Sequence, residues 1–462
     1  MGKKDASNPL TALGLAGISL LGGLYLARRA YGWLISGLTY PLISDKYDKN
    51  MWELVNATLR STPGKLIETE LRAGAEEYIK RPIGGPHRFK YAEQIMFNMA
   101  QLAKLPTPYD QKIDLGVTIG PRAARPLKIK IPLLAGGMAY GLGLSETFKL
   151  AIAKGATLAG TATNTGQGPW LEAERKLAKH LILQYSRTSW NKDPKIIKQA
   201  EAIEIQFGQG ASAGAAQILK SKHIGTRLRQ RMGLKAGQDA IVHSRMAGVT
   251  SPRELQELVK HLRQLTGGVP IGVKIGAGLD LEQDLAIAAG AGADFISLDG
   301  AEGGSHSALP ILQDDFGLPT IIAVSRAARF WQDHSLKGKV TLLAGGGLIS
   351  AGDCLKVLAL GVDAVYMGTA VVFATTHNQV LKVIPYEPPT QLVWENGKYK
   401  DKFDLEEGAR SLANFFNAMA HELEEAVKAL GKTSLSQVSA GDMCALNREV
   451  SEITGLKLCY LP

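Results

Sequence analysis

The residues best placed to do chemistry are one lysine and five amides. Lys274 stands inside an otherwise apolar run, Ile271-Gly-Val-Lys-Ile275. An unpaired ammonium in an apolar wall is costly, so it must face an anionic or polarisable partner. A flavin ring is one such partner, because a cation beside its N1 and C2 carbonyl stabilises the negative charge of the reduced form. A neighbouring carboxylate such as Glu204 is the structural alternative, and an amine that forms Schiff bases is a third. Asn164, Gln167, Gln184, Gln206 and Gln209 all lie at or near the ends of short apolar runs. Their alternating donors and acceptors suit the imide edge of an isoalloxazine. One such amide is an ordinary loop residue, whereas five on successive runs point to a ligand. Gln209 and His306 join Lys274 as candidate catalytic residues. His306 reads either as a proton donor or substrate contact, or as a satisfied loop histidine. Arg187, just past another run, suits a substrate carboxylate or a place on the surface.

The elements that would position these groups alternate regularly. Val340–Ala344 is a short apolar run of the kind that forms a buried parallel strand. It leads into Gly345, Gly346 and Gly347, which let a backbone approach a ligand closely. Ser350 can then cap a helix over 352–360. A further strand, Ala364–Met367, ends in Gly368-Thr369 and another helical run. Two consecutive strand ends of this form suit a phosphate held between the last two units of a β/α barrel. Earlier strands are expected at 131–135, 157–161, 181–185, 202–206, 271–275 and 295–298, the first of them ending in Gly136-Gly137-Met138. Between them fall helical patterns, clearest over 252–265. The fold class is therefore α/β, a (β/α)8 TIM barrel with helical flanking segments. In that fold functional groups gather at the carboxyl ends of the strands.

Around the barrel, over 130–385, three other segments are expected. Residues 10–27 form an uncharged apolar run followed by Arg28-Arg29 and a second apolar stretch to residue 43. That length predicts an N-terminal hydrophobic anchor over 1–44 and a membrane-associated protein with its catalytic domain on the cytoplasmic side. Residues 45–129 read as a helical approach or cap, with a helix over 91–105, and 386–462 as a helical extension for packing and homo-oligomer contacts. A basic stretch, 211–245, reads as an insertion beside the active site, a surface for an acidic partner or a solvated loop. The net charge of +10 comes without a lysine–arginine stripe interleaved with aromatics, which argues against nucleic acid. Cys354, Cys444 and Cys459 match no metal-ligand or disulfide spacing.

AGGMAYG (135–141), TNTGQG (163–168), IEIQFGQGA (203–211), VKIGAG (273–278), ISLDGAEGGSHSA (296–308), AGGGLISAGD (344–353) and YMGTA (366–370) resemble, in order, the FMN-binding barrel of the glutamate synthase large subunit. The resemblance implies FMN at the barrel mouth. Its phosphate would lie on Gly345, Gly346, Gly347, Gly368 and Thr369, and its ring against Gly136, Gly137, Met138, Asn164, Gln184 and Lys274. It implies reduction of 2-iminoglutarate, formed from 2-oxoglutarate and ammonia, to glutamate. Gly303, Gly304 and Lys274 would border the substrate, and Arg187 would take one carboxylate. The chain departs from the family in four ways. It has no glutaminase domain, and no cysteines stand where an iron–sulfur cluster would bind, so no cluster is expected and electrons must come directly from an unidentified donor. Gln167 replaces an acidic residue and Gln206 a lysine. The alternatives are an FMN dehydrogenase for another amino or hydroxy acid at the membrane, or a catalytically silent flavoprotein subunit.

Overall fold

The computed structural model describes residues 9–74, 79–306 and 308–461, with the backbone alone over 9–21 and at 48. They fall into two compact units, residues 1–79 and 80–462.

The first unit is helical. α1 (Pro9–Ser44) runs unbroken through both apolar stretches, so Arg28 and Arg29 sit inside one helix and do not terminate a span. Asn50 closes its carboxyl end, its Nδ2 donating to the carbonyls of Pro41, Leu42 and Asp45 at 2.9–3.1 Å. α2 (Trp52–Ser61) and α3 (Pro63–Gly74) follow, neither with a buried residue. The expected bilayer anchor is corrected here. Among the described residues no helix is long and apolar enough to cross a membrane, which removes the basis for membrane association and for a cytoplasm-facing orientation. The first part of the predicted span, up to residue 21, has no described side chains. The described part carries the arginine pair, and each arginine costs about 2.5–3.5 kcal/mol near a bilayer centre.

In the second unit eight parallel strands close into a barrel. They are β1 (Leu133–Ala135), β2 (Thr163–Asn164), β3 (Leu181–Tyr185), β4 (Ala202–Gln206), β5 (Ile271–Gly276), β6 (Phe295–Asp299), β7 (Thr341–Gly345) and β8 (Ala364–Met367). Each pairs in parallel with the next, and β8 pairs with β1. Seven strands fall within a few residues of expectation. The second lies further along the chain, because Ser145 caps α4 (Glu146–Leu158) and this alanine-rich helix runs on into the predicted strand. Gly160, at φ +75°, then turns the chain into β2.

The strands' alternation sorts two layers. Ile203, Ile205, Val273 and Ile275 point outward and pack on α5 (Pro252–Thr266) and α6 (Leu281–Gly290) through Leu255, Val259, Leu281 and Leu285. Inward at the bottom lie Leu134, Ile182, Ala202, Phe295, Leu343 and Ala364, closed by an antiparallel hairpin of Val117–Ile119 and Leu127–Ile129. Gly272 leaves room for Phe295, whose ring would lie 2.3 Å from a Cβ there. One step further up, the inward residues turn polar on six strands, with Asn164, Gln184, Glu204, Lys274, Ser297 and Tyr366.

Flanking pieces brace this barrel. The segment expected as a helix over 91–105 instead forms the strand Ile95–Phe97, which pairs with Met443–Ala445, a partner too distant in sequence for a local pattern to show. The basic insertion is ordered, contrary to a solvated loop. Its hairpin, Gln217–Leu219 with Ala240–Val242, shares a small core with Tyr140 and Trp190. Arg227 and Arg231 both reach Glu146 at the start of α4.

Candidate active site

The polar layer centres on Glu204 of β4, which is fully buried. Its Oε1 accepts from Asn164 Nδ2 (2.9 Å) and Gln184 Nε2 (2.7 Å), and its Oε2 accepts from Ser297 Oγ (2.7 Å). Three strands are thus tied to one carboxylate. Asn164 also donates to the Tyr366 hydroxyl at 3.2 Å, and burial first, then Glu204, pushes that phenol well above its usual range. From behind, the buried Lys149 of α4 donates to the Asn164 carbonyl at 2.5 Å and pairs with Glu174 at 3.2 Å.

Lys274 points inward on β5, as the apolar wall requires. Its Nζ lies 3.1 Å from Asp299 Oδ2 and 5.2 Å from the centre of the Tyr366 ring. Burial pulls its pKa down, but Asp299 and then Glu204 outweigh that, and the net direction is upward. The sequence pointed to Glu204 as the structural partner, and the structure supplies Asp299 as the direct one. Ser297 and Asp299 could have been read from the sequence, since they alternate with apolar residues along β6.

The remaining amides form a second network. Gln167 Nε2 donates to Gln206 Oε1 (2.6 Å), Gln206 Nε2 to Gln209 Oε1 (3.1 Å), and Gln209 Nε2 to Ser212 Oγ (3.0 Å). Gln167 and Gln209 line a cavity at the mouth together with Gly137, Met138, Gly304 and His306. His306 keeps some exposed surface yet is crowded on most sides, and that desolvation, with Lys80 nearby, pushes it down to about 4. It is therefore a neutral hydrogen-bonding group at ordinary pH and no imidazolium acid. Over the cavity runs the segment around Ile83, which exchanges backbone hydrogen bonds with Ser305 at 2.8 and 3.2 Å. A Cβ on Gly304 would lie 2.3 Å from the Ile83 carbonyl, so only glycine fits beneath it, and Gly303 packs on Gly210.

The glycine loop after β7 has the backbone angles and the helix cap that its sequence suggests. Gly346 and Gly347 have φ of +124° and +67°, and a Cβ on Gly346 would meet Thr320 Oγ1 at 2.5 Å. Ser350 caps α7 (Ala351–Ala359) in a reciprocal box with Asp353. Gly345 ends β7 against Asp299. Gly368 faces open space, with nothing within 4 Å of a Cβ, and Thr369 begins the following helix, Thr369–Thr376. Glu302, which the sequence gave no reason to single out, lies beside Gly347 and accepts from Thr320 N and Oγ1 at 2.8 and 2.6 Å. Gly136 is bonded to the Met367 carbonyl (2.9 Å), and a Cβ on Gly137 would come within 3.0 Å of the Asn164 and Gln184 amides.

Arg187 is buried, which excludes the surface alternative. Its Nη1 donates to the carbonyls of Gly214 (2.6 Å) and Ser244 (3.1 Å), while Nε and Nη2 meet no acceptor among the described residues. Burial lowers its pKa. Gln184 Oε1 is likewise buried without a partner. Among the described residues no group of three His, Cys, Asp or Glu side chains is placed to hold a metal ion.

Residues 86–433 match the conserved region in glutamate synthase. A glutamate synthase large subunit-like protein of Rhizobium meliloti (strain 1021) is 31% identical over 412 residues, covering 85% of this chain and 93% of its own. The archaeal glutamate synthase [NADPH] of Methanocaldococcus jannaschii is 28% identical over 355 residues, covering 75% and 68%. A doubly substituted flavocytochrome b2 with pyruvate bound shares the fold, with a TM-score of 0.51 at 15% identity over 82% of this chain and 84% of its own.

Proposed function

Since the chain belongs to the glutamate synthase family, we propose that it is an FMN-dependent oxidoreductase that reduces the imine of a 2-oxo acid and ammonia to the amino acid. In the family's own case this is 2-iminoglutarate to glutamate. The observation that carries this is the buried, unpartnered Oε1 of Gln184, the amide whose Nε2 lies beside Gly137; a donor on the imide edge of the ring would satisfy it. Gly136, Gly137, Met138, Asn164, Gln184 and Lys274 would hold the ring, and Gly345, Gly346, Gly347, Gly368 and Thr369 the phosphate. When bound, FMN supplies hydride transfer between its N5 and a substrate carbon.

The chain's own residues do the rest. Arg187, whose Nε and Nη2 meet no acceptor among the described residues, would take the substrate carboxylate in a charge-assisted contact of high directionality. Glu204 fixes Asn164 and Gln184 so that their amides need no reorganisation. Lys274, held by Asp299, and Gln209 orient the reacting end, and neutral His306 donates a hydrogen bond there. Gly303 and Gly304 border the substrate under the Ile83 segment, which limits water. A separate redox partner supplies electrons.

The test is anaerobic. Purified protein loaded with FMN and reduced with dithionite should recover its oxidised visible spectrum on addition of a 2-oxo acid with ammonium, and not with either alone. Failure to bind FMN, or flavin that no imino acid reoxidises, refutes the proposal.

A further inference from the structure

We infer that Cys444 and Cys459 form a dithiol that a small-molecule disulfide oxidises to an intramolecular disulfide, stapling the segment after residue 455 to the strand that holds the approach to the barrel mouth. Neither a flavin nor its substrate takes part.

The two cysteines are fifteen positions apart in sequence, and the fold sets them side by side. Met443–Ala445 pairs with Ile95–Phe97 along one edge. Along its other edge Leu458 bridges Ala445 in parallel. There the Ala445 N–H donates to the Lys457 carbonyl at 2.8 Å and the Cys459 N–H to the Ala445 carbonyl at 3.0 Å. Side chains alternate along a strand, so the neighbours of that bridge, Cys444 and Cys459, turn to the same face. Their thiols are close enough to interact: burial first, then the charge and the hydrogen bond of Cys459, push the Cys444 thiol up. Cys459 is exposed and Cys444 partly so. Met96, opposite Cys444 on the other edge, is half exposed, so a small reagent reaches this face. Cys354 is buried, and burial pushes its thiol up, which leaves it inert.

The chemistry is thiol–disulfide exchange. The exposed Cys459 thiolate attacks one sulfur of the reagent and expels the other as a thiolate, leaving a mixed disulfide. The Cys444 thiolate then attacks the Cys459 sulfur and expels the second half of the reagent. The two protein thiols lose two electrons and two protons, and the reagent disulfide becomes two small thiols. Because the Cys444 thiol is pushed up, the second step is the slower one near neutral pH and quickens as pH rises. The bond closes a loop that contains the helix Arg448–Thr454. That loop holds the chain on its way from the mouth. Leu446 N donates to the Gln94 carbonyl at 2.9 Å, and Asn447 Nδ2 donates to Gln94 Oε1 at 3.3 Å. Oxidation therefore fixes this junction, and reduction leaves it free to open.

The experiment uses the full chain, reduced with dithiothreitol, desalted and incubated with oxidised glutathione, with thiols counted after acid quenching and denaturation. The count should fall from three to one, and a peptide map should show Cys444 linked to Cys459, lighter by the hydrogens lost. Dithiothreitol should restore all three thiols. Cys444→Ser should stop the reaction at a glutathione adduct on Cys459, because the resolving thiol is gone. Hydrogen exchange at the amides of Ala445 and Cys459, which close the bridge, should slow about tenfold or more on oxidation. An adduct on Cys459 that persists in the unmutated protein overturns the inference. So does a bond to Cys354 or to a second chain, or a thiol count that stays at three. A linked pair that leaves exchange at both amides unchanged overturns it too, since the staple then holds nothing.

Discussion

If Glu204 organises the cofactor-facing layer, two substitutions there should separate widely in stability. Glu204 is fully buried and receives three donors, Asn164 Nδ2, Gln184 Nε2 and Ser297 Oγ, at 2.7–2.9 Å. Glu204→Leu fits the volume but strands all three donors away from water. Each stranded group costs about 1–3 kcal/mol, so about 3 kcal/mol is the lower bound for the variant. Glu204→Gln keeps an oxygen for the two amides and turns its own N–H toward Ser297, whose hydroxyl can accept. It loses only charge assistance, about 1 kcal/mol per bond, and relief from burying a charge runs the other way. A net loss of roughly 1–2 kcal/mol is expected. Urea unfolding at matched slopes measures both, and FMN affinity should fall in the same order as Asn164 and Gln184 loosen. If the leucine variant is no less stable than the glutamine variant, the carboxylate is not the hub, and the geometry ascribed to the site loses its support.

Other outcomes follow from the same contacts. Lys149→Met leaves Glu174 buried and unpaired, so it should cost about 3–5 kcal/mol, and adding Glu174→Leu should restore most of that in a double-mutant cycle read by thermal unfolding. Gly368→Ala meets open space and should leave stability within about 0.5 kcal/mol while weakening FMN binding, whereas Gly346→Ala, at φ +124° with Thr320 Oγ1 at 2.5 Å, should lower both. His306 is pushed down to about 4 in the folded protein. The unfolded chain therefore binds its proton first between roughly pH 6.5 and 4, so stability is complete above that window and falls with pH through it. The loss reaches at most about 3 kcal/mol, and His306→Gln should flatten that acid limb in a stability–pH series.

The barrel was legible because most of its strands are apolar runs bounded by glycine, and β3 to β8 are four to six residues long. β2 was misplaced because two residues, Thr163 and Asn164, are too few to show any periodicity, while the alanine-rich sequence before them favours helix. The site amides were legible as types at strand ends, but their division into two networks was not. That division depends on pairings such as Gln167 with Gln206, 39 residues apart, which no local pattern encodes. Lys274 was found because a lone cation in an apolar strand stands out, whereas Ser297 and Asp299 show only as a polar alternation in a strand whose end reads as a loop. The apolar amino terminus misled because length without charge is only half of the membrane criterion. Arg28 and Arg29, taken as a boundary, lie within a helix that continues past them.

The two networks meet on β4, and this explains why its inward face is polar. Glu204 and Gln206 are two residues apart and so share one face, while Ile203 and Ile205 between and beside them pack outward on the helices. Below them the same face is apolar, closed by Ala202 and Phe295. A barrel built only for stability would continue that apolar stacking upward. Here the chain instead buries a carboxylate and an amide, each of which would cost several kcal/mol if left unpaired. Both are matched: Glu204 by three donors, and Gln206 by Gln167 on one side and Gln209 on the other. Among the described residues, the buried polar atoms without a partner around this layer include Gln184 Oε1, Thr163 Oγ1, Ser305 Oγ and the Nε and Nη2 of Arg187. On the proposed function, the flavin ring would complete Gln184 Oε1 and the substrate carboxylate would complete Arg187, while Glu204 and Gln206 are already satisfied by the protein itself.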